Sequence, residues 1–509
     1  MSEATEMLAG EFGLLSDLIA AHARERGTRT AVADDVRAID YATLDRGMDR
    51  LAAALQREGI AQGQAVAIVA SPSVEYTIAF GGILRAGGVV TPIAPSATPA
   101  QIAAMIADCG ASIVFLDEAN TRALSEERLS ARIVRLDNDL DAWLAPDGEK
   151  PEPVSIAPGD GFNIIYSSGT TGTPKGIVQS HAMRWAHIHR NTTAGYDEAV
   201  TMIATPLYSN TTLVSFLPTL GWGGTVVLMS RFDARRYLEL AEQHRATHTM
   251  LVPVQYQRLM ALPDFDRFDL SSFKLKTCTS APFSAGLKAD VVRRWPGLLI
   301  EYYGMTEGGA SCGLNATQFP DKLHTVGPPL PGHEMKLIDE DGHEVAPGEM
   351  GEVVGRSPTM MSGYHGRAEA SRDAEWFDSD GRRFIRHGDV GRFDADGFLI
   401  LMDRKKDLII SGGYNIYPSD LEAVLLRHPG VADATVVGAP SEAWGETPVG
   451  FYVARDDAPA REEILAAVNA QLGKTQRLSA LYALPELPRS AIGKVLKREL
   501  RDRYLTVPA

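Results

Sequence analysis

Through its first half the chain alternates helical and strand patterns, and that alternation restricts it to a parallel α/β architecture. In Tyr41–Ile60 the apolar residues Leu44, Met48, Leu51 and Leu55 recur at spacings of four, three and four, which is one face of a helix. Ala65–Ala70 follows as a short buried strand, Val74–Arg85 as a helix and Val89–Ile93 as a second strand. Gln101–Ala107 and Ile113–Leu116 repeat the unit. The stretch Ala145–Gly161, dense in Pro, Gly and acidic residues, reads as a surface connection before a strand at Phe162–Tyr166.

At 509 residues the chain exceeds what one hydrophobic core usually serves, so two or more domains are expected. From Val353 the texture changes. Gly388-Asp389 and Asp396-Gly397 read as turns between short hydrophobic runs, which predicts antiparallel hairpins. A separate carboxy-terminal module is expected from Asp403, giving domains of residues 1–402 and 403–509. Its predicted pieces are a helix at Ser419–Arg427, strands at Ala434–Gly438 and Val449–Ala454, a helix at Ala460–Leu472 and a basic tail helix after Gly493.

Composition removes several function classes. With 50 Lys+Arg against 65 Asp+Glu the net charge is −15, the wrong sign for displacing counterions from a nucleic acid. Cys109, Cys278 and Cys312 lie far apart with no Cys-x-x-Cys spacing, so neither a disulfide framework nor a structural zinc site is supported. The amino terminus is acidic where a secretory signal needs a basic start, and no run approaches the ~18 apolar residues of a membrane span. A cytoplasmic protein without a membrane span is expected.

The strongest local signal is Tyr166-Ser167-Ser168-Gly169-Thr170-Thr171-Gly172-Thr173-Pro174-Lys175-Gly176, placed directly after an apolar strand. Small hydroxyl residues and glycines let backbone N–H and side-chain O–H groups close around phosphate oxygens, and Lys175 adds positive charge. It is not a Walker A loop, because Gly-x-x-x-x-Gly-Lys-Ser/Thr is absent.

With this loop the chain resembles the AMP-forming adenylating superfamily of acyl- and aryl-CoA synthetases, carrier-loading adenylation domains and firefly luciferase. The resemblance recurs in order. Glu301-Tyr302-Tyr303-Gly304-Met305-Thr306-Glu307 is followed by His387-Gly388-Asp389 and by Asp403-Arg404-Lys405-Lys406-Asp407. Gly412-Gly413-Tyr414-Asn415-Ile416-Tyr417-Pro418 and Pro488-Arg489-Ser490-Ala491-Ile492-Gly493-Lys494 complete the set. It implies a large amino-terminal α/β region of several layers with a β-rich part, then a small mobile α+β lid, with the site in the cleft between them.

The resemblance also implies roles. Ser167, Ser168, Gly169, Thr170, Thr171, Gly172 and Lys175 would hold phosphates, and Ser280, Ala281, Glu301, Tyr302, Tyr303 and Gly304 would surround the nucleotide, with Tyr303 stacked on adenine. Thr306 would donate to the α-phosphate and Glu307 would hold Mg2+, a hard cation typically bound by one or two carboxylates plus substrate phosphates. Asp389 and Arg404 would contact the ribose, and Lys494 would bridge carboxylate and phosphate during adenylation. Lys406 falls at the hinge position, and Gly412, Gly413 and Tyr414 would line the channel for the pantetheine arm of coenzyme A.

Tyr208, Ser209, Asn210, Thr277, Tyr302 and Gly304 are the acyl-pocket candidates. Ser209 stands where the family often has histidine, which changes the local shape of the acyl site. No acidic residue occurs from Pro206 to Val214 to pair an α-ammonium, which disfavours an amino-acid substrate. Gly304 replaces the tryptophan that closes the pocket in acetate-specific relatives, while Thr277 and Tyr302 depart from the hydroxycinnamate ligases. The mixed small and apolar wall, without arginine, suits a hydrophobic aromatic or medium-chain monocarboxylate. The expected function is an ATP- and Mg2+-dependent acid:CoA ligase that forms AMP. Partners would be the acid, ATP and CoA, with no nucleic acid, and a homodimer is left open. Two other readings stand beside it: an enzyme loading a carrier protein's phosphopantetheine, and a non-catalytic nucleotide-binding protein.

Overall fold

The computed structural model describes residues 2–506 except 138, 168–173, 190–193, 405–406, 412–413, 442 and 491–492. The side chains of 167, 403–404, 414–415, 475 and 504–506 also lie outside the description. The chain divides into two compact units. One comprises Met1–His324, Pro329–Glu334 and Gly355–Ile385; the other comprises Thr325–Pro328, Met335–Val354 and Arg386–Ala509.

Two sheets organise the first unit. Among the described residues, one has seven strands in the spatial order Gly363–Tyr364, Lys175–Ser180, Gly161–Ser167, Val89–Pro92, Ala65–Val69, Ile113–Leu116 and Arg132–Arg135. The five strands from Gly161–Ser167 to the last are parallel; the first two join antiparallel. The other has eight strands, ordered Gly308–Asn315, Leu298–Met305, Leu275–Cys278, His248–Leu251, Val200–Ile203, Thr225–Leu228, Thr30–Ala33 and Ala38–Asp40, parallel except at both edges.

The largest core lies between these sheets. It joins Val66, Ile68 and Phe115 of one sheet to Val32, Ile203 and Val226 of the other through helices Tyr41–Arg57, Val74–Arg85 and Asn210–Gly221. Each fully buried Leu or Ile there contributes roughly 1.5–3 kcal/mol, and Leu44, Met48, Leu51 and Leu55 are all buried as the spacing predicts. Separate cores cover the outer faces, around Trp295 on one sheet and around Ile102 and Ile106 on the other. Helix starts follow local capping chemistry, since Asp40, Ser73 and Thr98 each accept a backbone N–H three residues on.

Among the described residues, the second unit holds part of a sheet in which Leu399–Arg404 pairs antiparallel with Arg383–Phe393, and a separate mixed sheet with helices. Val431–Ser441 and Gly445–Ala454 form its long hairpin, flanked by Ile409–Ser411 with Tyr414–Ile416 on one side and by parallel Ala480–Ala483 on the other. Helices Pro418–Arg427 and Arg461–Asn469 share a core around Leu421, Leu425 and Ile464. Leu500 of helix Lys497–Thr506 packs with Val437 and Phe451.

One sequence expectation fails. Gly388-Asp389 is not a turn between strands but lies inside strand Arg383–Phe393. Gly388 adopts φ +70°, and the pairing register shifts between Asp389 and Gly391, so the glycine serves a bulge that continues the strand. Asp396-Gly397 does turn the chain into Leu399–Arg404. Cys109, Cys278 and Cys312 are buried free thiols. Among the described residues, no helix is long and apolar enough to cross a membrane.

Candidate active site

Thr306 and Glu307 are the two turn residues of a tight hairpin, whose strands Leu298–Met305 and Gly308–Asn315 close at the pair Met305 and Gly308. The tip admits only glycine next. Gly308 has φ +81°, and a Cβ there would lie 1.7 Å from the Thr359 carbonyl oxygen. Both tip carbonyls are held. Gln179 Nε2 donates to Thr306 O at 2.6 Å, and Met361 N–H donates to Glu307 O at 2.8 Å.

Tyr364 completes the tip. Its hydroxyl donates to Glu307 Oε1 at 3.0 Å, and the Lys175 ammonium lies 5.1 Å from its ring centroid. Burial, then the Glu307 charge and this hydrogen bond, raise the Tyr364 hydroxyl well above its ordinary range, so it remains a donor at neutral pH. Lys175 pairs in register with Ser167 across the strands that bracket the phosphate-loop segment. Ser168, Gly169, Thr170, Thr171 and Gly172 themselves lie outside the described residues, as does the Ser167 side chain.

Around the nucleotide candidates, Ser280 takes φ +84°, a left-handed backbone that costs a non-glycine residue on the order of 1–3 kcal/mol. Its hydroxyl bonds the Thr211 hydroxyl, next to Ser209 and Asn210. Strand alternation sends Glu301 and Tyr303 to one face of Leu298–Met305 and Tyr302 and Gly304 to the other. Glu301 is buried against Lys288 in an ion pair, and burial raises its carboxyl to about 7 although Lys288 pulls it down. Gly304 has no room for a larger residue without displacing Ser311, whose Oγ would lie 2.8 Å from a Cβ.

The acyl candidates sit on different elements. Tyr208 is half-buried, Ser209 is buried and caps helix Asn210–Gly221 through the Thr211 N–H, and Asn210 opens that helix. Thr277 is buried with its hydroxyl committed to the Thr249 carbonyl at 2.9 Å. Tyr302 borders a cavity of about 690 Å3 shared with Phe12, Trp185, Leu330, His333 and Thr359.

The second unit carries the remaining candidates. Asp389 pairs directly with Arg404 across the hairpin, which sets the two expected ribose contacts side by side along the backbone. Lys494 is exposed on a turn closed by Gly493 N–H to Ser490 O and Ser490 N–H to Lys494 O, both at 2.8 Å. Arg489 braces that turn, donating to Gly493 O at 2.8 Å and to Asp433 Oδ2 at 2.7 Å. Lys406, Gly412 and Gly413 lie outside the described residues, as do the Arg404 and Tyr414 side chains.

The sequence reading missed Tyr364, Gln179, Asn163, Arg184 and Lys288, all bonded around these groups. A signal existed for one of them, since Asn163 interrupts the apolar run of strand Gly161–Ser167.

A model of AMP-binding enzymes matches residues 19–365, and the model of their C-terminal domain matches residues 420–494. The chain belongs to the AMP-binding enzyme family. This agrees with the resemblance carried by the phosphate loop and the blocks that follow it. A feruloyl-CoA synthase from Amycolatopsis sp is 34% identical over 93% of this chain and 96% of its own length. A fatty acid–[acyl-carrier-protein] ligase from Streptomyces coeruleorubidus is 31% identical over 95% of each chain. Among solved structures, an amide bond synthetase from Marinactinospora thermotolerans superposes with a TM-score of 0.85 at 29% identity, covering 96% of this chain and 99% of that one. The α/β architecture, with a large multi-sheet amino-terminal part and a small carboxy-terminal part, is that of the AMP-binding enzymes.

Proposed function

We propose that this chain is an AMP-forming acid:CoA ligase acting on a hydrophobic monocarboxylate, aromatic or of medium length. The observation that carries the reading is the Thr306–Glu307 tip, both of whose carbonyls are tethered and whose carboxylate shares Tyr364 with Lys175. Adenylation joins two anions, a carboxylate and ATP, so a site must offer fixed cations and donors before the reaction begins. The carboxylate oxygen attacks the α-phosphorus and pyrophosphate leaves; the CoA thiolate then attacks the acyl carbon and AMP leaves.

Thr306 donates its hydroxyl to the α-phosphate, Lys175 offsets charge on the outer phosphates, and Tyr303 stacks on adenine. Glu307 provides oxygen donors only, which fits Mg2+, and Tyr364 leaves its second oxygen for the ion. Mg2+, when bound, supplies charge neutralisation on the phosphates. Asp389 and Arg404 hold the ribose, and Lys494 stabilises charge as the carboxylate meets phosphorus. Residues 403–509 act as the lid, with Lys406 as hinge and Gly412, Gly413 and Tyr414 along the pantetheine channel. The cavity beside Tyr302 has room for an aromatic tail. The enzyme works on diffusible acid, ATP and CoA in the cytoplasm.

The test is pyrophosphate release across aliphatic, aryl and dicarboxylic acids, with and without CoA, while AMP and acyl-CoA are followed by mass. CoA-dependent turnover with aryl or medium-chain acids is the expected result. Adenylate that forms but is not passed to CoA would favour a carrier phosphopantetheine as acceptor, the chemistry named in the Streptomyces coeruleorubidus relative. Silence across the panel would leave a nucleotide-binding protein without catalysis.

A further inference from the structure

Arg184 is a buried cation in a cage of amides. It is 0% exposed, and among the described residues no carboxylate pairs with it. Nε donates to Asn163 Oδ1 at 2.8 Å, one terminal nitrogen to Asn210 Oδ1 at 2.8 Å, and the other to Gln179 Oε1. Burial lowers its guanidinium to about 9, so it remains charged at neutral pH. Enclosing such a charge costs several kcal/mol unless the surrounding dipoles are aligned to it.

That alignment has a consequence for the site. Guanidinium offers donors and no acceptor, so each neighbouring amide must turn its oxygen inward. A carboxamide in neutral surroundings can sit either way round; beside Arg184 it cannot. Gln179, its oxygen taken by Arg184 and by Asn163 Nδ2 at 2.9 Å, therefore directs Nε2 at the Thr306 carbonyl, 2.6 Å away. Asn210, half-exposed at the start of its helix, likewise carries its N–H donors on the side away from the guanidinium.

We propose that Arg184 is a positioning residue for adenylation, locking Gln179 to hold the Thr306–Glu307 tip and locking Asn210 with its N–H donors toward the incoming carboxylate. The inference rests on the acid:CoA ligase reading of this site. Arg184 touches no reacting atom; it acts through two amides, Gln179 and Asn210.

The experiment uses the full chain with Arg184→Met, Gln179→Met, the double variant and Asn210→Leu. Adenylation is read as pyrophosphate release, and thioester formation as acyl-CoA made from supplied acyl-adenylate. Arg184→Met should lower the adenylation kcat about tenfold to a hundredfold, the range that a misplaced group costs, with the ATP KM moved less than about threefold. Thioester formation should stay within about twofold of wild type. The double variant should be no slower than the slower single variant, because both break one relay. Asn210→Leu should raise the KM for the acid and leave that for ATP.

Equal loss in both half-reactions, or losses at Arg184 and Gln179 that multiply, would overturn the proposal, and an unchanged acid KM in Asn210→Leu would remove its second half. Should Arg184→Met not fold, Arg184→Lys decides. An ammonium keeps the charge but lacks the planar fork that holds three amides at once, so this variant should lose adenylation while thioester formation stays within about twofold of wild type. Equal loss in both half-reactions would overturn the proposal. Wild-type pyrophosphate release separates the two levels: its absence sinks the ligase reading, whereas a normal wild type beside evenly damaged variants sinks only the role of Arg184.

Discussion

The Tyr364 hydroxyl donates to Glu307 Oε1 at 3.0 Å while the face of its ring meets the Lys175 ammonium, so one tyrosine orients the carboxylate and the cation together. Tyr364→Phe keeps the ring and deletes the donor. A hydrogen bond to a charged group is worth about 1.5–3 kcal/mol, so adenylation should fall roughly ten- to a hundredfold, with a raised requirement for Mg2+. A Mg2+ titration of pyrophosphate release checks this, and an unchanged metal dependence would remove Tyr364 from the site.

Lys494→Ala should suppress adenylation by about a hundredfold or more, the scale for losing a preorganised charge at the transition state. Thioester formation from supplied acyl-adenylate should largely survive. Assaying the half-reactions separately distinguishes this role from a general structural one, which would lower both.

Lys288 and Glu301 form a buried pair, so removing one partner leaves an uncompensated charge. Lys288→Met should cost about 3–5 kcal/mol, and adding Glu301→Gln should restore most of it. Thermal melts of the single and double variants measure the recovery; a double variant as unstable as the single one would show that the pair is not what the lysine serves.

Ser280 sits at φ +84°, where glycine is unstrained. Ser280→Ala and Ser280→Gly both lose the hydroxyl that bonds Thr211, but only the glycine variant loses the strain. The glycine variant should therefore melt above the alanine variant, by a difference equivalent to roughly 1 kcal/mol. The reverse order would mean the backbone there is not strained.

His181 is buried against Phe162, and burial lowers its imidazole to about 4 from 6.5. Its unfolded form takes up a proton first, so the contribution to stability is complete above about pH 6.5 and is lost as pH falls toward 4. The loss amounts to about 3 kcal/mol. His181→Leu should flatten this limb of a stability curve taken between those pH values.

Much of the fold was legible because it rests on local periodicity. The helix predicted at Val74–Arg85 forms with those bounds, and the strand at Ile113–Leu116 does too. The error at Gly388-Asp389 has a physical origin, since the glycine that suits a turn also suits a bulge, and only pairing with Leu399–Arg404 distinguishes them. The tip residues Thr306 and Glu307 were legible as part of a contiguous motif. Tyr364 was not, because its partner Glu307 is distant in the chain and nothing near it marks a site.

By itself, the order of residues determined the alternating α/β units, the Ser/Thr/Gly-rich loop directly after an apolar strand, and the chemical groups gathered in the ordered blocks, all of which depend on near neighbours. Only the tertiary structure decided that Arg184, Asn163, Gln179 and Asn210 share one buried cage and that Tyr364 stands between Glu307 and Lys175. Those contacts join separate elements of the first unit. Strand order and helix packing set them, because a side chain's polar partners in a core are whatever the fold brings within reach, and the fold must satisfy each of them.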